Sequence, residues 1–366
     1  GRYFLVVDNA GTAPADNAMG AGLYADDTRF LSTWQMQLNG QQPVLLSANT
    51  QDGFAARYLY SNKGEESTSY DAERSQPAAD QPKRLQEQRY LIERRVVLLD
   101  GLWEEYKVTN FDVDEKSRRL KLSFYMGADF ADMFEVRSSV RKARGQSLPS
   151  LSRVDSDGAY TLTLAYMGLD NILRTSTLKF QAAAGEKPLY GYFTGDTLTL
   201  EFELASQKST SFTCQVTTTG GATARPDVEK LSQELSFQQA WDEAFRRYAN
   251  WRQDASRARI VSDNMRFNDY LERSYKDLYM LLQPAPLSTD WQSNARAEGQ
   301  LGTCIAAGIP WFAVAFGRDQ IVTALETLPF MSDIAKNVLD FLFAHLGKGQ
   351  SDFTEERDRK STRLNS

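Results

Sequence analysis

The hydrophobic pattern of this chain changes its period once, and this change limits the possible folds more than any other feature. Before residue 217, short runs of alternating apolar and polar residues are separated by turn residues, which is typical of antiparallel strands. After residue 226, apolar residues recur every three to four positions, which is typical of helices. Residues 217–226 are rich in Thr, Gly and Ala, as in a linker. The sequence therefore predicts a β domain followed by a helical region.

Turn signals organise the β half. Residues 28–38 read as a strand whose second half alternates, Asn39–Gly40 is a type I′ turn signal, and residues 43–47 read as the returning strand. Asp100–Gly101 marks a second hairpin. Its strands and the further predicted ones are 89–99, 102–110, 119–126, 159–166, 172–180, 198–204 and 211–217. Many short strands separated by turns predict an antiparallel β-sandwich.

The second half carries apolar residues at helical spacing. Helices are predicted at 237–251, 267–282, 320–328 and 334–346. Pro284 and Pro286 are expected to end the second of them. The fold class that follows is a multidomain chain, first β and then α.

Charge and composition exclude several classes of partner. The 366 residues carry a formal net charge of -6, which argues against nucleic acid as the main partner. No apolar run is long enough to cross a bilayer, so no membrane partner is expected. Two cysteines and the single His345 leave no basis for a disulfide framework or a His-rich metal site. Neither a metal nor an organic cofactor is expected, and the oligomeric state stays open. The expected localisation is cytoplasmic, although Gly1 in place of Met indicates that the natural N terminus lies upstream.

The stretch 307–319 is the candidate binding segment. Gly317 permits a tight turn, and Arg318 and Asp319 follow it at the start of a predicted helix. A guanidinium beside a carboxylate suits sugar hydroxyls, which both donate and accept hydrogen bonds. Trp311 could lie against a pyranose ring. A purely structural interpretation is equally open here: Asp319 as a helix cap and Arg318 in an ion pair with a neighbouring carboxylate.

Three motifs in order resemble the amylo-α-1,6-glucosidase (glycogen debranching enzyme) family. They are the Gly-Arg-Asp of 317–319 within 307–319, the Gly-Leu-Tyr-Ala-Asp-Asp-Thr-Arg-Phe-Leu-Ser of 22–32, and the Asp-Phe-Ala-Asp-Met-Phe-Glu-Val-Arg of 129–137. The resemblance extends to about residue 356. One departure is Gln320, where the family usually has a small hydroxyl residue; it is expected to alter the first helical turn or a peripheral sugar contact.

The resemblance implies a β-sandwich followed by the first helices of an incomplete (α/α)6 toroid, and hydrolysis of α-1,6 branch points in an α-glucan. It assigns substrate binding to Arg318 and Asp319, with Trp311 as a possible wall, and no metal. Glycoside hydrolysis normally needs two carboxyl groups, which the family carries on later loops. No catalytic residue is therefore assigned in this chain, which is expected to be inactive by itself. Asp352, Glu355 and Glu356 lie in a polar run and are not taken as the pair.

The same resemblance sets the expected domain boundaries. Together with the composition of the linker, it gives 1–221 for the β-sandwich, 222–256 for a linker and connecting helix, and 257–357 for the start of the toroid. Residues 358–366 have no apolar periodicity and are expected to be a non-native tail. Two alternative functions remain: a non-catalytic carbohydrate-binding or scaffold protein, and a toroidal glucosidase for another α-glucoside. The fold by itself cannot choose between them.

Two acidic clusters in the β half have structural interpretations. Asp129 and Asp132 are expected to close an edge loop through backbone hydrogen bonds, with Arg137 in an ion pair; shaping the rim of the active site is the alternative. Asp26 and Asp27 are interpreted as a turn, with Arg29 in an ion pair at the domain interface.

Overall fold

A computed structural model describes residues 2–16, 20–64, 88–113, 118–140, 143–220, 235–254, 257–286 and 301–344. His345, Asp352, Glu355, Glu356 and the tail 358–366 lie outside the described residues, as do most of the predicted linker and its Pro226.

Within the first 220 residues, the described ranges form strands and one short helix. The strands are β1 (Tyr3–Val6), β2 (Gly22–Ala25), β3 (Thr28–Leu31), β4 (Thr33–Leu38), β5 (Val44–Asn49), β6 (Ala55–Ser61), β7 (Tyr90–Leu98), β8 (Leu102–Asn110), β9 (Arg118–Gly127), β10 (Gln146–Val154), β11 (Tyr160–Met167), β12 (Leu173–Ala182), β13 (Gly191–Thr194), β14 (Thr197–Leu204) and β15 (Ser209–Thr219). Helix α1 (Met133–Val136) stands between β9 and β10. Every predicted strand is present; β1, β2, β6, β10 and β13 were not predicted.

Two antiparallel sheets form the predicted β-sandwich. The larger has eight strands in the order β10-β11-β12-β15-β8-β7-β6-β5, and the smaller has the order β13-β14-β9-β4. Aromatic rings fill the space between them: the Phe124 ring lies 5.7 Å from Trp34 and 4.9 Å from Phe180, between centroids. A third sheet, β1-β2-β3, packs on the same core through residues such as Leu23 and Phe30.

The prediction that β4 pairs with the strand at 43–47 is wrong. Asn39 and Gly40 do form a turn with positive φ values of 50° and 78°, as a type I′ turn requires. However, β4 pairs with β9, and β5 crosses to the far edge of the larger sheet, beside β6. β4 buries alternate residues against the core, whereas β5 is mostly exposed, which suits an edge strand. The second predicted hairpin is confirmed, because β7 and β8 pair from Leu98–Leu102 outwards.

The remaining described residues combine helices with a small sheet. The elements are α2 (Phe237–Arg252), α3 (Met265–Leu281), β16 (Leu282–Pro286), β17 (Leu301–Gly308), β18 (Phe312–Ala315), α4 (Gly317–Thr327) and α5 (Ser332–Ala344). The four predicted helices are confirmed. The antiparallel sheet β16-β17-β18 corrects the expectation of helices alone. A complete or partial (α/α)6 toroid is not established by the described helices and stays a prediction, as do the domain boundaries.

Helix α2 covers the outer face of the larger sheet. Its buried residues Phe237, Trp241 and Ala244 pack against Val97 and Trp103 of the sheet. The connecting helix is thus bound to the sandwich by a hydrophobic interface of its own. None of the described helices is both long enough and apolar enough to span a membrane.

Buried tyrosines predict a loss of stability in alkali. Burial raises the pKa of Tyr24 and of Tyr60 to about 12. Both hydroxyls donate to backbone carbonyls, Tyr24 to Gly20 and Tyr60 to Ala10, at 2.7 Å. A tyrosine whose folded pKa exceeds its unfolded value of about 10 stabilises the fold fully below pH 10, and this contribution is lost as the pH rises towards 12. By pH 12, we expect the free energy of unfolding to fall by roughly 2 kcal/mol for each of these two tyrosines.

The measurement is the melting temperature by circular dichroism between pH 8 and pH 11.5, with tyrosinate absorbance followed in parallel. Tyr24→Phe is expected to flatten the alkaline decline, whereas Tyr190→Phe, at a hydroxyl that is largely exposed, is expected to leave it unchanged. A melting temperature that stays constant up to pH 11.5 would contradict the prediction.

Candidate functional site

The β17–β18 hairpin delivers the candidate binding residues to the start of α4. Phe316 is the N-cap residue of this helix, with φ -113° and ψ 131°, and it makes no side-chain capping hydrogen bond. Arg318 and Asp319 are therefore the second and third residues of the helix. The interpretation of Asp319 as the cap is wrong, although a carboxylate in the first turn still interacts favourably with the helix dipole.

The side chains of Arg318 and Asp319 are exposed, and no described residue pairs with them. In the described part of the chain, neither forms an ion pair or a side-chain hydrogen bond, so the expected pairing of Arg318 with a carboxylate is not seen. The one hydrogen bond at this place is made by the backbone: the carbonyl of Asp319 accepts from the Thr323 hydroxyl at 2.9 Å. Among the described residues, none uses the hydrogen-bonding capacity of either side chain.

Trp311 turns the end of its indole towards the β-sandwich. A β-carbon placed on Gly20 would lie 2.5 Å from Cη2 of Trp311 and 3.0 Å from Cγ1 of Val136. The absence of a side chain at Gly20 therefore makes room for the indole. Trp311 is only partly exposed, so part of its ring is occupied by protein contacts.

A small hydrophobic cluster joins the sandwich to the β17–β18 hairpin. Its buried members are Phe4, Tyr24, Met133 and Ala313, and Ile309 packs against them. The rings of Phe4 and Tyr24 stack with their centroids 4.7 Å apart. We call this cluster, together with the Gly20–Trp311 contact, the junction. It brings residues of all three sequence motifs, or residues next to them, to one place.

The motif 129–137 is held by its own polar contacts. Asp132 caps α1: its carboxylate accepts from the Glu135 amide at 2.8 Å, and the Glu135 carboxylate accepts from the Asp132 amide at 3.2 Å. This confirms the expected Asp-to-backbone bonds. The prediction of an ion pair for Arg137 is wrong as far as the described residues go. The Arg137 guanidinium instead lies over the Phe312 ring, 5.1 Å from the centroid. Glu135 pairs with Arg144 instead, at 2.8 Å.

Arg29 links two of the motifs within the sandwich. Its guanidinium donates through both Nε, at 3.1 Å, and Nη2 to the carboxylate of Asp129. This ion pair belongs to the β domain and not to a domain interface, which corrects the expectation. The predicted turn is confirmed, since Asp26 has a φ of 55° between β2 and β3 and pairs with Arg2 at 3.2 Å.

Gln320 is a buried structural residue. It is fully buried, and its Oε1 accepts from the Ile305 amide at 3.3 Å, which ties the first turn of α4 to β17. Its Nε2 has no hydrogen-bond partner in the part of the chain that the structure describes. Of the two expected effects of Gln320, the structure supports the one on the first helical turn, because a buried side chain cannot make a peripheral sugar contact.

Neither Gly20 nor Phe312 was predicted from the sequence to be a site residue. No local pattern marks Gly20, because its role depends on a ring almost 300 residues away. Phe312 is about half exposed and touches the Phe316 ring edge to face, with centroids 5.7 Å apart. Chemically, the loop offers a guanidinium, one carboxylate and aromatic surface. This set suits recognition of a neutral polyhydroxylated ligand, but it lacks the second carboxyl group that glycoside hydrolysis needs.

Comparison with known proteins gives one family match. Residues 1–215 match the family of N-terminal domains of some glycogen debranching enzymes. No curated protein matches the chain. Among solved structures, a putative kojibiose phosphorylase from the human microbiome is 11% identical with a TM-score of 0.47, over 94% of this chain and 42% of that chain. A 4-alpha-glucanotransferase from Thermococcus litoralis is 10% identical with a TM-score of 0.20, over 48% and 22%. The chain thus spans less than half the length of either protein.

Proposed function

The chain belongs to the family of glycogen debranching enzyme N-terminal domains, as the match over residues 1–215 of 366 shows, and we propose that the intact protein is a glycoside hydrolase of α-1,6-glucosidic branch points. The family match shows a carbohydrate-active enzyme family. The bond that is cleaved, the substrate and the residues that bind it are the proposal.

In this proposal, Arg318 and Asp319 bind the terminal glucose of the branch. The observation that carries it is that both side chains are exposed, adjacent and unpaired within the described part of the chain. A guanidinium donates to two hydroxyls in one plane, and a carboxylate accepts from others. The exposed part of Trp311 would then form a wall beside the sugar.

Asp319 is not assigned as the general acid. Hydrolysis requires an acid on the glycosidic oxygen and a second carboxyl group that serves as base or nucleophile. We propose that both come from other parts of the intact protein, as the family resemblance implies. Residues 1–366 alone are therefore expected to bind an α-glucan without hydrolysing it.

Substitutions in the pair are expected to weaken binding of a branched α-glucan. Removing one charged partner of a hydrogen bond costs about 1.5–3 kcal/mol, so Arg318→Ala and Asp319→Asn should each weaken binding by about tenfold to a hundredfold. The measurement is isothermal titration of the chain with a maltooligosaccharide that carries one α-1,6-linked glucose. Because both side chains are exposed and unpaired, the melting temperature should hardly change.

Matched controls lie on exposed helical surfaces. Glu326→Gln changes another exposed carboxylate of α4, and Arg273→Ala changes an exposed arginine of α3. Both variants should bind like the wild type. Equal binding by the Arg318, Asp319 and control variants would exclude the proposed site.

The choice of ligand separates the alternative functions. Kojibiose and trehalose, titrated beside the branched oligosaccharide, test a glucosidase of different specificity. Release of glucose from limit dextrin by the full-length protein tests hydrolysis itself. Binding without any turnover by the full-length protein would favour the non-catalytic carbohydrate-binding protein.

A further inference from the structure

Besides the hydrophobic cluster at Ala313, two contacts join the β-sandwich to the segment 307–319: Gly20 with Trp311, and Arg137 with Phe312. We infer that Gly20 and Arg137 of the β-sandwich are positioning residues, which set the orientation of the segment 307–319 for ligand binding. This inference rests on the proposed function, since it concerns the same glucan site.

The first contact is between Gly20 and Trp311. Gly20 has a φ of +70°, and a β-carbon there would collide with the indole at 2.5 Å. The backbone of Gly20 is fixed in turn, because its carbonyl accepts from the Tyr24 hydroxyl at 2.7 Å and Tyr24 is buried and stacked on Phe4. The indole of Trp311 therefore rests on a backbone surface that belongs to the core of the sandwich.

The second contact leads from α1 to the N terminus of α4. The Arg137 guanidinium lies 5.1 Å from the centroid of the Phe312 ring, and Phe312 packs edge to face on Phe316. Phe316 is the N-cap residue of α4, two residues before Arg318. Because these groups touch one another in series, a change in the position of Arg137 can reach the binding pair through packed rings.

The base of this path is rigid and its end is exposed. The capping box of Asp132 and Glu135 fixes α1, and Arg137 follows the helix directly as its C-cap residue. Phe312 is about half exposed and the side chains of the binding pair are exposed. The contacts with the sandwich therefore add to the few that hold Phe312 and the binding pair in place.

Substitutions at the two contacts test the inference in the whole chain. With 5-fluorotryptophan incorporated, the Trp311 signal is assigned by Trp311→Phe and followed by fluorine NMR, and affinity is measured with the same branched oligosaccharide. Arg137→Ala should shift or broaden the Trp311 signal. It should also weaken binding about twofold to fivefold, because loss of one exposed cation–π contact lowers the fraction of molecules in which the segment is oriented for binding. Arg137→Lys keeps a cation over the ring and should restore most of the affinity.

Gly20→Ala should have the larger effect, because the new methyl group must displace the indole. We expect a moved Trp311 signal and binding weakened more than tenfold. Arg144→Ala is the control: this exposed arginine pairs with Glu135 in the same segment but makes no described contact with the loop. It should leave both the signal and the affinity unchanged.

The outcomes separate this inference from the proposed function. If the wild type binds and Arg137→Ala lowers only the melting temperature, with signal and affinity unchanged, Arg137 is merely structural and the inference is overturned. If the wild type binds no α-glucan, the proposed function fails. In that case the Trp311 signal still decides whether Gly20 and Arg137 set the orientation of the loop.

Discussion

Replacing Glu104 with alanine is expected to destabilise the β-sandwich by about 3–5 kcal/mol, because the substitution leaves a charge buried without its partner. The Glu104 carboxylate is fully buried between the sheets, and its Oε1 lies 2.5 Å from Nη2 of Arg94, whose side chain is also buried. Trp34 donates to the same oxygen at 3.1 Å, and the Tyr106 hydroxyl donates to the other. The alanine variant would leave the donors of Arg94, Trp34 and Tyr106 without this acceptor.

The neighbouring ion pair supplies the control. Arg95 and Glu105 are the next residues on β7 and β8, and they pair on the opposite, outer face of the sheet. Both side chains are partly exposed, so Glu105→Ala should cost only about 1 kcal/mol. Glu104→Gln keeps the shape of the side chain and an acceptor for Trp34. Its loss of unfolding free energy should lie between those of the two alanine variants.

Urea unfolding, followed by tryptophan fluorescence, measures the free energy of unfolding of all three variants. For a domain of this size, a loss of 3–5 kcal/mol also corresponds to a melting temperature lower by roughly 6–20 °C. Equal losses from Glu104→Ala and Glu105→Ala would show that the buried pair is not the stabilising element we take it to be.

Replacing Trp241 with alanine is expected to cost about 3–5 kcal/mol and to release α2 from the sheet. The Trp241 side chain is buried, and its ring lies 5.2 Å from Phe245 between centroids. On the sheet side, the guanidinium groups of Arg57 and Arg95 lie 5.1 Å and 5.5 Å from the ring. Loss of the indole leaves a cavity in the middle of this interface and removes both cation–π contacts.

Hydrogen exchange by mass spectrometry distinguishes local release from global unfolding. Amides of α2 should exchange much faster in Trp241→Ala, while those of β8 and β15 stay protected. Phe267→Ala is the control on α3, where the ring is about half exposed; this variant should change stability by less than about 0.5 kcal/mol. Unchanged protection of α2 in the tryptophan variant would mean that other contacts hold this helix to the sheet.

The β half was largely predictable because its signals are local. Alternation in β4 placed Trp34, Met36 and Leu38 on one buried face, and Asn39–Gly40 marked the turn after them. The partner of β4 was not predictable in the same way. Pairing depends on which face of each strand finds a core, and β9, the partner of β4, lies some 80 residues further along the chain.

In the helical half, too, local signals were predictable and long-range pairing was not. The apolar spacing gave all four described helices to within a few residues. The strands β16 to β18 were not predicted, because they carry no clear alternation of apolar and polar residues and only their pairing with one another defines them. At the site, family motifs pointed to Trp311, Arg318 and Asp319, and their binding of substrate stays a prediction.

The change from strands to helices, the turns after β4 and β7, and the family follow from the sequence alone, because periodicity, turn residues and motifs act over a few neighbouring positions. Tertiary structure alone decided that β5 leaves β4, that Arg94 and Glu104 meet inside the core, and that Trp311 rests on Gly20. The first and third of these depend on residues brought together from distant positions, and the second depends on which face of the β7–β8 hairpin meets the core, so burial and the pairing of polar groups outweigh any local preference.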